Sequence, residues 1–478
     1  MPAAGARALF LFTRDLRLED HAGLREAARH GEVVPALVFD PAARERVARN
    51  PRRAACYCGA VASLEAALAE RGARLICRRG PLASTVRRLA RGAGVETVVW
   101  SAAYDAAARE RDRRLQSALE EAGFRALLVH DAPAVPPEST AAARSAEGGM
   151  GYRALTPYLA AWGALPRAPA VGPIRFASPD VPSEPLPDAA ELGAAILAEA
   201  PSEARALRAL EAYLAGPALR YGGARRVPGG EPTSRLSADL AFGTIAARTV
   251  LARLDERLRD RFLLAEERLS LRALGRALAQ RDFFLQLAWF FEDARDEALQ
   301  ERMRHFPFAA RHPQLEAWRE GRTGYPLVDA GIRQLRATGW MHPRVRLVAA
   351  SFLCFDLGVS WRVGRDEWNR LLVEDEPALA NGNWQWVAGV GADLAQFPRI
   401  FNPRKQARSL DPRGTYVRRW IPELASLPDA DVLDPPAASR RAQLALPLFD
   451  GSAYPPPVVE HETAARQFLR RYAAFRAG

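Results

Sequence analysis

Five of the ten tryptophans of this 478-residue chain fall between Gly321 and Asn402, at Trp340, Trp361, Trp368, Trp384 and Trp386. Arg333, Arg336, Arg344, Arg346 and Arg362 are interleaved with them. Flat rings beside guanidinium groups suit a planar, polyanionic cofactor, because stacking holds the plane and arginine meets the anion with charge-assisted hydrogen bonds. The same residues also suit an aromatic core with a solvated basic rim, and spacing alone leaves both readings open. A second stretch with chemical content is TSRLS at 233–237, just ahead of Ala238–Phe242. Hydroxyls and free backbone N–H groups at a helix start can cradle a pyrophosphate, with Ser237 as N-cap, although plain capping is the commoner use. Cys56, Cys58, Cys77 and Cys354 lack the paired spacing of zinc or cluster ligands, so no metal is expected and the thiols are expected to stay reduced.

These residues need elements to hold them. Leu327, Val328, Gly331, Ile332 and Leu335 recur at helical spacing, and Val345, Leu347, Val348, Ser351, Phe352 and Phe355 suit a second helix opened after Pro343 and closed near Gly358. Everything beyond residue 201 reads as helical, ending in an amphipathic segment over 460–477. The first 130 residues alternate instead. Apolar runs at Ala8–Phe12, Val33–Phe39, Ala73–Cys77, Val95–Trp100 and Ala126–Val129 are separated by helical stretches such as Gly59–Arg71 and Ala106–Glu121. That alternation predicts an α/β domain with a doubly wound parallel sheet and ligand space at the carboxyl ends of its strands. No GxGxxG follows the first strand, so the usual dinucleotide fingerprint is absent. From about Asp131 to Pro201 the chain is rich in Pro and Ala, as a surface connection would be, with a short helix around Tyr152–Trp162. The expected division is therefore 1–130, a linker over 131–200, and an all-α domain over 201–478.

Composition adds little about function. The net charge of +11 permits a nucleic-acid partner, but Lys405 is the only lysine, and an alanine- and arginine-rich chain is what a GC-rich genome encodes in any case. No run of eighteen apolar residues is present and the N-terminus lacks a signal-peptide layout, so a cytoplasmic protein without a membrane span is expected. A monomer is expected.

TGYPLVDAGIRQL, TGWMHPR, NGNWQW and RIFNP, together with TSRLSADLAFG at 233–243 and FTRDLRLEDH at 12–21, occur in one order along nearly the whole chain. On these motifs the chain resembles the photolyase/cryptochrome family. The resemblance implies an N-terminal α/β antenna domain and a helical domain holding a folded-back FAD. It also implies blue-light-driven electron transfer to a pyrimidine dimer flipped out of duplex DNA. Carried over position by position, the cofactor-binding set is Tyr221, Thr233, Ser234, Arg235, Leu236, Ser237, Arg346, Glu374, Asp375, Glu376 and Ala380. Trp384 and Trp361 stand at the inner two electron-transfer positions and Phe308 at the outermost. Arg225, Arg281, Arg344 and Gln406 stand on the DNA side, and Ala277, Gln280, Pro343 and Trp386 at the lesion pocket.

Several of these positions depart from the family's pattern. The acid-glycine-acid stretch beside the flavin reads Glu374, Asp375, Glu376. Ala380 replaces the asparagine that faces flavin N5 and cannot hydrogen-bond there. The frame E-x-x-W-R-E-F runs from Ala277 to Phe283 with Ala277 for the hydrogen-bonding Glu and Gln280 for the stacking Trp. Pro343 replaces an Asn. Phe308 is harder to oxidise than tryptophan. Ala107 and Ala108 stand where folate-binding members carry Asn-Glu, which weighs against a folate antenna and leaves a deazaflavin, or no antenna, open. Two functional readings follow. One is a dimer-repair enzyme with a rebuilt pocket and DNA as partner. The other is a cryptochrome-like photoreceptor, or a repurposed flavoprotein, that signals to a protein partner.

Overall fold

Short apolar runs become strands where each face has something to pack on, and the N-terminal third supplies five of them. They are β1 (Arg7–Phe12), β2 (Glu32–Phe39), β3 (Ile76–Arg79), β4 (Thr97–Ser101) and β5 (Arg125–Val129). The computed structural model describes residues 6–145, 150–167, 169–170, 172, 174–197, 199–230, 233–393, 398–435 and 454–477. All four strand pairings are parallel and the order is β3-β2-β1-β4-β5, the doubly wound arrangement expected. Side chains alternate faces along each strand. Phe10, Phe12 and Leu37 therefore join one buried layer, while Leu9, Leu11, Ala36 and Trp100 join the other. Burying such side chains stabilises the unit by roughly 1.5–3 kcal/mol each. Beta3 starts later than Ala73 because Gly72 (φ +73°) closes the preceding helix and Glu65 accepts from the Leu75 N–H, so residues 73–75 are spent as a connection.

The chain divides into two compact units. The first comprises Met1–Leu219, Ser234–Glu292 and Val373–Ala378, and contains the sheet. The second comprises Arg220–Thr233, Asp293–Leu372 and Leu379–Gly478. The connection over 131–200 holds two helices, Pro137–Ser145 and Leu155–Ala164, the second over the segment where a short one was expected. Unit 1 also contains the 26-residue helix Ala265–Phe290.

Unit 2 is helical around one aromatic core, and among its described residues the only strand-like pairing is a single bridge between Ala309 and Val359. Pro326 and Pro343 each occupy the first turn of a helix, Pro326–Thr338 and Pro343–Ser351, where a missing N–H costs nothing. The second of these runs on as a π-helical turn, Phe352–Asp356, and ends before Gly358 at φ +64°. The last helix is His461–Ala477. No helix among the described residues is long and apolar enough to cross a membrane.

Candidate flavin and electron-transfer site

Within unit 2 the motif residues are fixed by a few saturated polar side chains. Asp329 is buried and accepts from the Thr323 N–H, the Thr323 hydroxyl, the Gly324 N–H and the Tyr454 hydroxyl, at 2.5–3.0 Å. Four donors on one carboxylate pin the turn that opens the Pro326–Thr338 helix. Gln334, further along that helix, accepts from the His342 N–H (3.1 Å) and from the Tyr416 hydroxyl (2.7 Å). His342 in turn caps the next helix, its Nδ1 accepting from the Arg344 N–H at 3.2 Å. The Met341–Arg344 turn is thus held from both sides, and Arg346 folds back on it, its Nε–H donating to the Met341 carbonyl at 2.8 Å. Pro343 is exposed, while Gln406 is half-buried on the Pro403–Leu410 helix.

Tyr221 and Arg225 lie on and just after the short Tyr221–Ala224 helix, with the Arg225 guanidinium 5.5 Å from the centre of the Tyr221 ring. Arg344 stands close enough that burial, with the like charges of Arg225 and Arg226, pulls its guanidinium below the usual arginine range. Like charges add there to the cost of burying the Arg344 guanidinium. Arg226 was not singled out in the sequence, although its position directly after Arg225 was a usable signal.

The helix Pro377–Ala388 carries Ala380, Trp384 and Trp386. Asn381, the neighbour able to replace Ala380 as a hydrogen-bonding group, is engaged elsewhere: its Oδ1 accepts from Arg365 at 3.0 Å and its Nδ2 donates to the Ala294 carbonyl at 2.5 Å. Trp384 is buried with its ring 4.5 Å from Trp368 and 6.4 Å from Trp318. Trp361 is also buried, and its ring is faced by the guanidiniums of Arg362 and Arg365 at 4.8 and 5.2 Å. Phe308 is half-buried in a cluster with Phe306 and Phe468. Trp386 is half-buried against the core with Arg399 6.0 Å from its ring centre. Residues 394–397 of the motif-rich stretch lie outside the described residues.

The remaining expected residues belong to unit 1, apart from Thr233, which unit 2 includes. The short helix Ser237–Phe242 is anchored by buried Asp239, which accepts from Arg205 at 2.8 and 3.0 Å and from the Thr244 hydroxyl at 3.1 Å. Ser237 is the first helical residue rather than the N-cap. Leu236 holds the cap position without a side-chain bond, and the Ser234 hydroxyl accepts from the Leu236 N–H at 3.4 Å. The turn bends one residue earlier than the capping pattern implied because Arg235 adopts φ +55°, a conformation most side chains avoid. Ala277 and Gln280 are half-buried on the Ala265–Phe290 helix. Arg281, placed on the DNA side by sequence, is only 7% exposed and donates to the Ala132 carbonyl at 2.8 Å.

Glu374 is half-buried, and its two neighbours are paired within the α/β unit. Asp375 meets Arg46 and Arg53, and Glu376 meets Arg14 at 3.5 Å and Arg281 at 3.8 Å. Burial alone would raise the Asp375 carboxyl; Arg46, Arg53 and Arg14 override it and hold the group below the usual range. An open cleft lies beside this segment, lined by Arg14, Ser101, Tyr104, Asp131, Arg281 and Glu376 among others. It sits past the carboxyl ends of β1, β4 and β5, where the strand order reverses, as expected for an open parallel sheet.

Lining one side of the cleft and continuing behind it is a buried ionic network. Arg17 bonds Asp131 at 2.7 Å, and Arg248 bonds Asp131 at 2.9 Å and Asp20 at 3.3 Å. His21 accepts from the Leu24 N–H on Nδ1, so its proton sits on Nε2, 3.2 Å from the Asp15 carboxylate. Burial would raise Asp131, but Arg17 and Arg248 hold it far below the usual carboxylate range. Asp15, His21 and Asp131 bring their ligand-type atoms within 4.8 Å, yet the arginines already neutralise this cluster.

Comparison with known proteins agrees with the motif reading. A family model described as the FAD-binding domain of DNA photolyase matches residues 274–474, and one described as DNA photolyase matches 8–174. The deoxyribodipyrimidine photo-lyase of Streptomyces griseus is 38% identical over 97% of this chain and 98% of its own length. Cryptochrome-1 of Arabidopsis thaliana is 32% identical over 95% of this chain and 68% of its own. Among solved structures, a class III photolyase from Agrobacterium tumefaciens superposes with a TM-score of 0.84 at 29% identity, covering 99% of this chain and 98% of that one. A cryptochrome from Synechocystis superposes with a TM-score of 0.85 at 25% identity, covering 98% of this chain and 100% of that one.

Proposed function

The chain belongs to the photolyase/cryptochrome family and is a FAD-binding flavoprotein, and from that premise we propose that it performs light-driven one-electron transfer in contact with DNA, with dimer splitting much reduced. When bound, FAD supplies the light absorption and the one-electron redox chemistry. The residues present fit it. The observation that carries the DNA contact is the cluster of Arg225, Arg226 and Arg344 beside Tyr221, because a protein keeps like charges together where a polyanion is to be held.

By resemblance, the cofactor positions of unit 2 are Tyr221, Thr233 and Arg346, and those of unit 1 are Ser234, Arg235, Leu236, Ser237 and Glu374–Glu376. Arg225, Arg344 and Gln406 would meet DNA phosphates. At Ala380 the protein offers no hydrogen bond to the ring, and Asn381 is engaged with Arg365 and the Ala294 carbonyl. Ala277 and Gln280 offer a bound pyrimidine dimer neither a carboxylate nor a stacking ring. Stacking on a base is worth roughly 1–3 kcal/mol, and one preorganised transition-state hydrogen bond roughly 2.7–4 kcal/mol. Together these lower splitting by several orders of magnitude.

Blue illumination of the reduced, flavin-loaded protein with a dimer-containing oligonucleotide tests this. Restored pyrimidines should accumulate slowly, and A277E/Q280W should accelerate them strongly. Splitting by the native protein as fast as by the double variant would remove the weak-repair part, and a colourless protein that refuses FAD would remove the whole. The photoreceptor reading is favoured instead if illumination changes binding to a protein partner while no dimer is ever restored.

A further inference from the structure

The last helix of unit 2, His461–Ala477, closes over the helical core with one face, from which His461, Phe468 and Tyr472 are buried. Phe468 meets Phe355 with ring centres 4.7 Å apart, and Tyr472 and Phe475 meet Phe306 at 6.0 and 5.3 Å. Apolar contact of this kind docks the helix at any pH. The first residue of the helix is different. His461 Nδ1 lies 2.6 Å from a carboxylate oxygen of Asp356, the last residue of the π-helical turn Phe352–Asp356, and the two side chains are 7% and 0% exposed. The other Asp356 oxygen has no hydrogen-bond partner among the described residues. We propose that His461 and Asp356 form a proton-operated clasp, which holds the start of the last helix on the π-helical turn while the imidazole is protonated and loosens it when the proton leaves.

The charge balance inside the pair sets the direction. An imidazolium beside Asp356 neutralises the buried carboxylate, and a charge-assisted hydrogen bond joins them. A neutral imidazole leaves a buried anion with one donor for two oxygens, and a buried charge short of compensation is costly. Freeing the helix start returns that carboxylate to water. The groups facing the pair do not take over its charge. Glu460 and Glu462, on either side of His461 in sequence, are exposed anions that favour the imidazolium. Tyr325, at the N-cap of the Pro326–Thr338 helix, accepts from the His461 N–H at 3.1 Å and donates its hydroxyl to the Val459 carbonyl at 2.9 Å. Burial pushes that phenol up to about 12. On the Pro403–Leu410 helix, Arg404 lies 5.1 Å from the centre of the Tyr325 ring and is paired with Asp434 at 2.8 Å. Asn402, the N-cap of that helix, donates to Glu462 at 3.4 Å. Arg471, on the last helix itself, donates to the Pro307 carbonyl. Between about pH 6.5 and 9, His461 is the member of this group that changes charge.

Burial opposes a charge on His461, but Asp356, with Glu462 and Glu460, overrides it and raises the imidazole above its usual value. Burial also pushes Asp356 up to about 6, and His461 moderates the rise. Both shifts have one sign: the docked helix start binds protons more tightly than the freed one. The His461 contribution is therefore complete below the ordinary imidazole value of about 6.5 and is lost as pH rises through the raised one. Turns of the π type are rare and occur mostly at functional sites. This one continues the Pro343–Ser351 helix, which bears Arg344 and Arg346, so the clasp ties the last helix to the segment with expected DNA and flavin positions.

Hydrogen–deuterium exchange of the full-length, flavin-loaded protein tests the clasp, with protection corrected for the intrinsic pH dependence of exchange. Protection at the start of the last helix should fall as pH rises from about 6.5, by at most about tenfold per pH unit for one proton. Protection of the Pro326–Thr338 helix should hold over the same range. H461N keeps a donor for Asp356 and removes the titration, so its protection should be lower than native at the acid end and flat with pH. D356N, which removes the buried charge, should be flat as well. A native helix start whose protection is constant with pH overturns the proposal, and so does a decline of native size in H461N. A decline shared by the Pro326–Thr338 helix is global unfolding and overturns it too. The native profile is read first, so a variant that fails to fold leaves the overturning results within reach.

Discussion

In the α/β unit, the buried side chains Asp15, Asp20 and Asp131 are grouped with Arg17, His21 and Arg248; in the helical unit, Trp318, Trp368 and Trp384 fill a buried volume with rings that touch one another. Both clusters are buried, and both lie close to residues that sequence reading assigned to function. The first is held by complementary charge, so each member depends on the ones it pairs with. The second is held by shape, so it tolerates any change that keeps ring contact and fails where a ring cannot seat. Unpaired charge is far costlier to bury than a small void, and that difference orders the expected effects.

The largest effect is expected from breaking the ionic cluster. Arg248→Met keeps most of the side-chain volume but removes the guanidinium from Asp20, which keeps the Thr249 hydroxyl, and from one side of Asp131. The expected loss is about 3–5 kcal/mol of unfolding free energy, read by urea denaturation. The double variant R248M/D20N should recover part of it. If R248M alone is neutral, the network is better solvated than its burial indicates, and the contrast between the two interiors collapses.

A smaller effect is expected at Gly364. Alanine there gains about 1 kcal/mol of helix propensity. Its methyl must nonetheless displace the Trp384 indole and Leu353, and such overpacking costs about 1–3 kcal/mol. G364A should therefore be modestly destabilised, with altered near-ultraviolet circular dichroism from the displaced ring. A variant with native dichroism would show that Trp384 can seat without the gap.

How far these clusters were legible in the sequence depended on whether their signal was local. The five strands, the two proline-opened helices and the terminal helix were readable because alternation, helical spacing, proline and glycine act over a few residues. The identity of the family was readable because its motifs are contiguous. The ring partners of Trp384 were not, since periodicity says which face of a helix is buried and never which distant ring it meets. A usable hint existed in Gly364 and Trp368, a small residue and a large one a turn apart on one helix face. Arg281 shows the opposite case: in sequence it is one more arginine near a pocket, and only the fold reveals that Ala132 and Glu376 engage it. Ser237 fell one residue from the cap because the positive φ of Arg235 has no sequence signature; glycine would have given one.

The finest test of the contrast is a single buried carboxyl that lacks the compensation Asp131 enjoys. One oxygen of Asp282 accepts from the Ala134 and Val135 N–H groups and from the Trp162 indole at 2.8–3.2 Å, while the other has no hydrogen-bond partner. Burial pushes its pKa up to about 6, and Arg281 and the donors only moderate the rise. The native state therefore binds this proton more tightly than the unfolded chain does. Its contribution to stability is complete below the unfolded carboxyl value and is lost as pH rises through about 6. Asp282→Asn keeps an acceptor for the three donors and removes the titration. Melting temperature followed from pH 4 to 7 should then lose a component that, for one proton, is at most about 1.4 kcal/mol per pH unit. An unchanged profile would mean that Asp282 is already compensated as fully as Asp131.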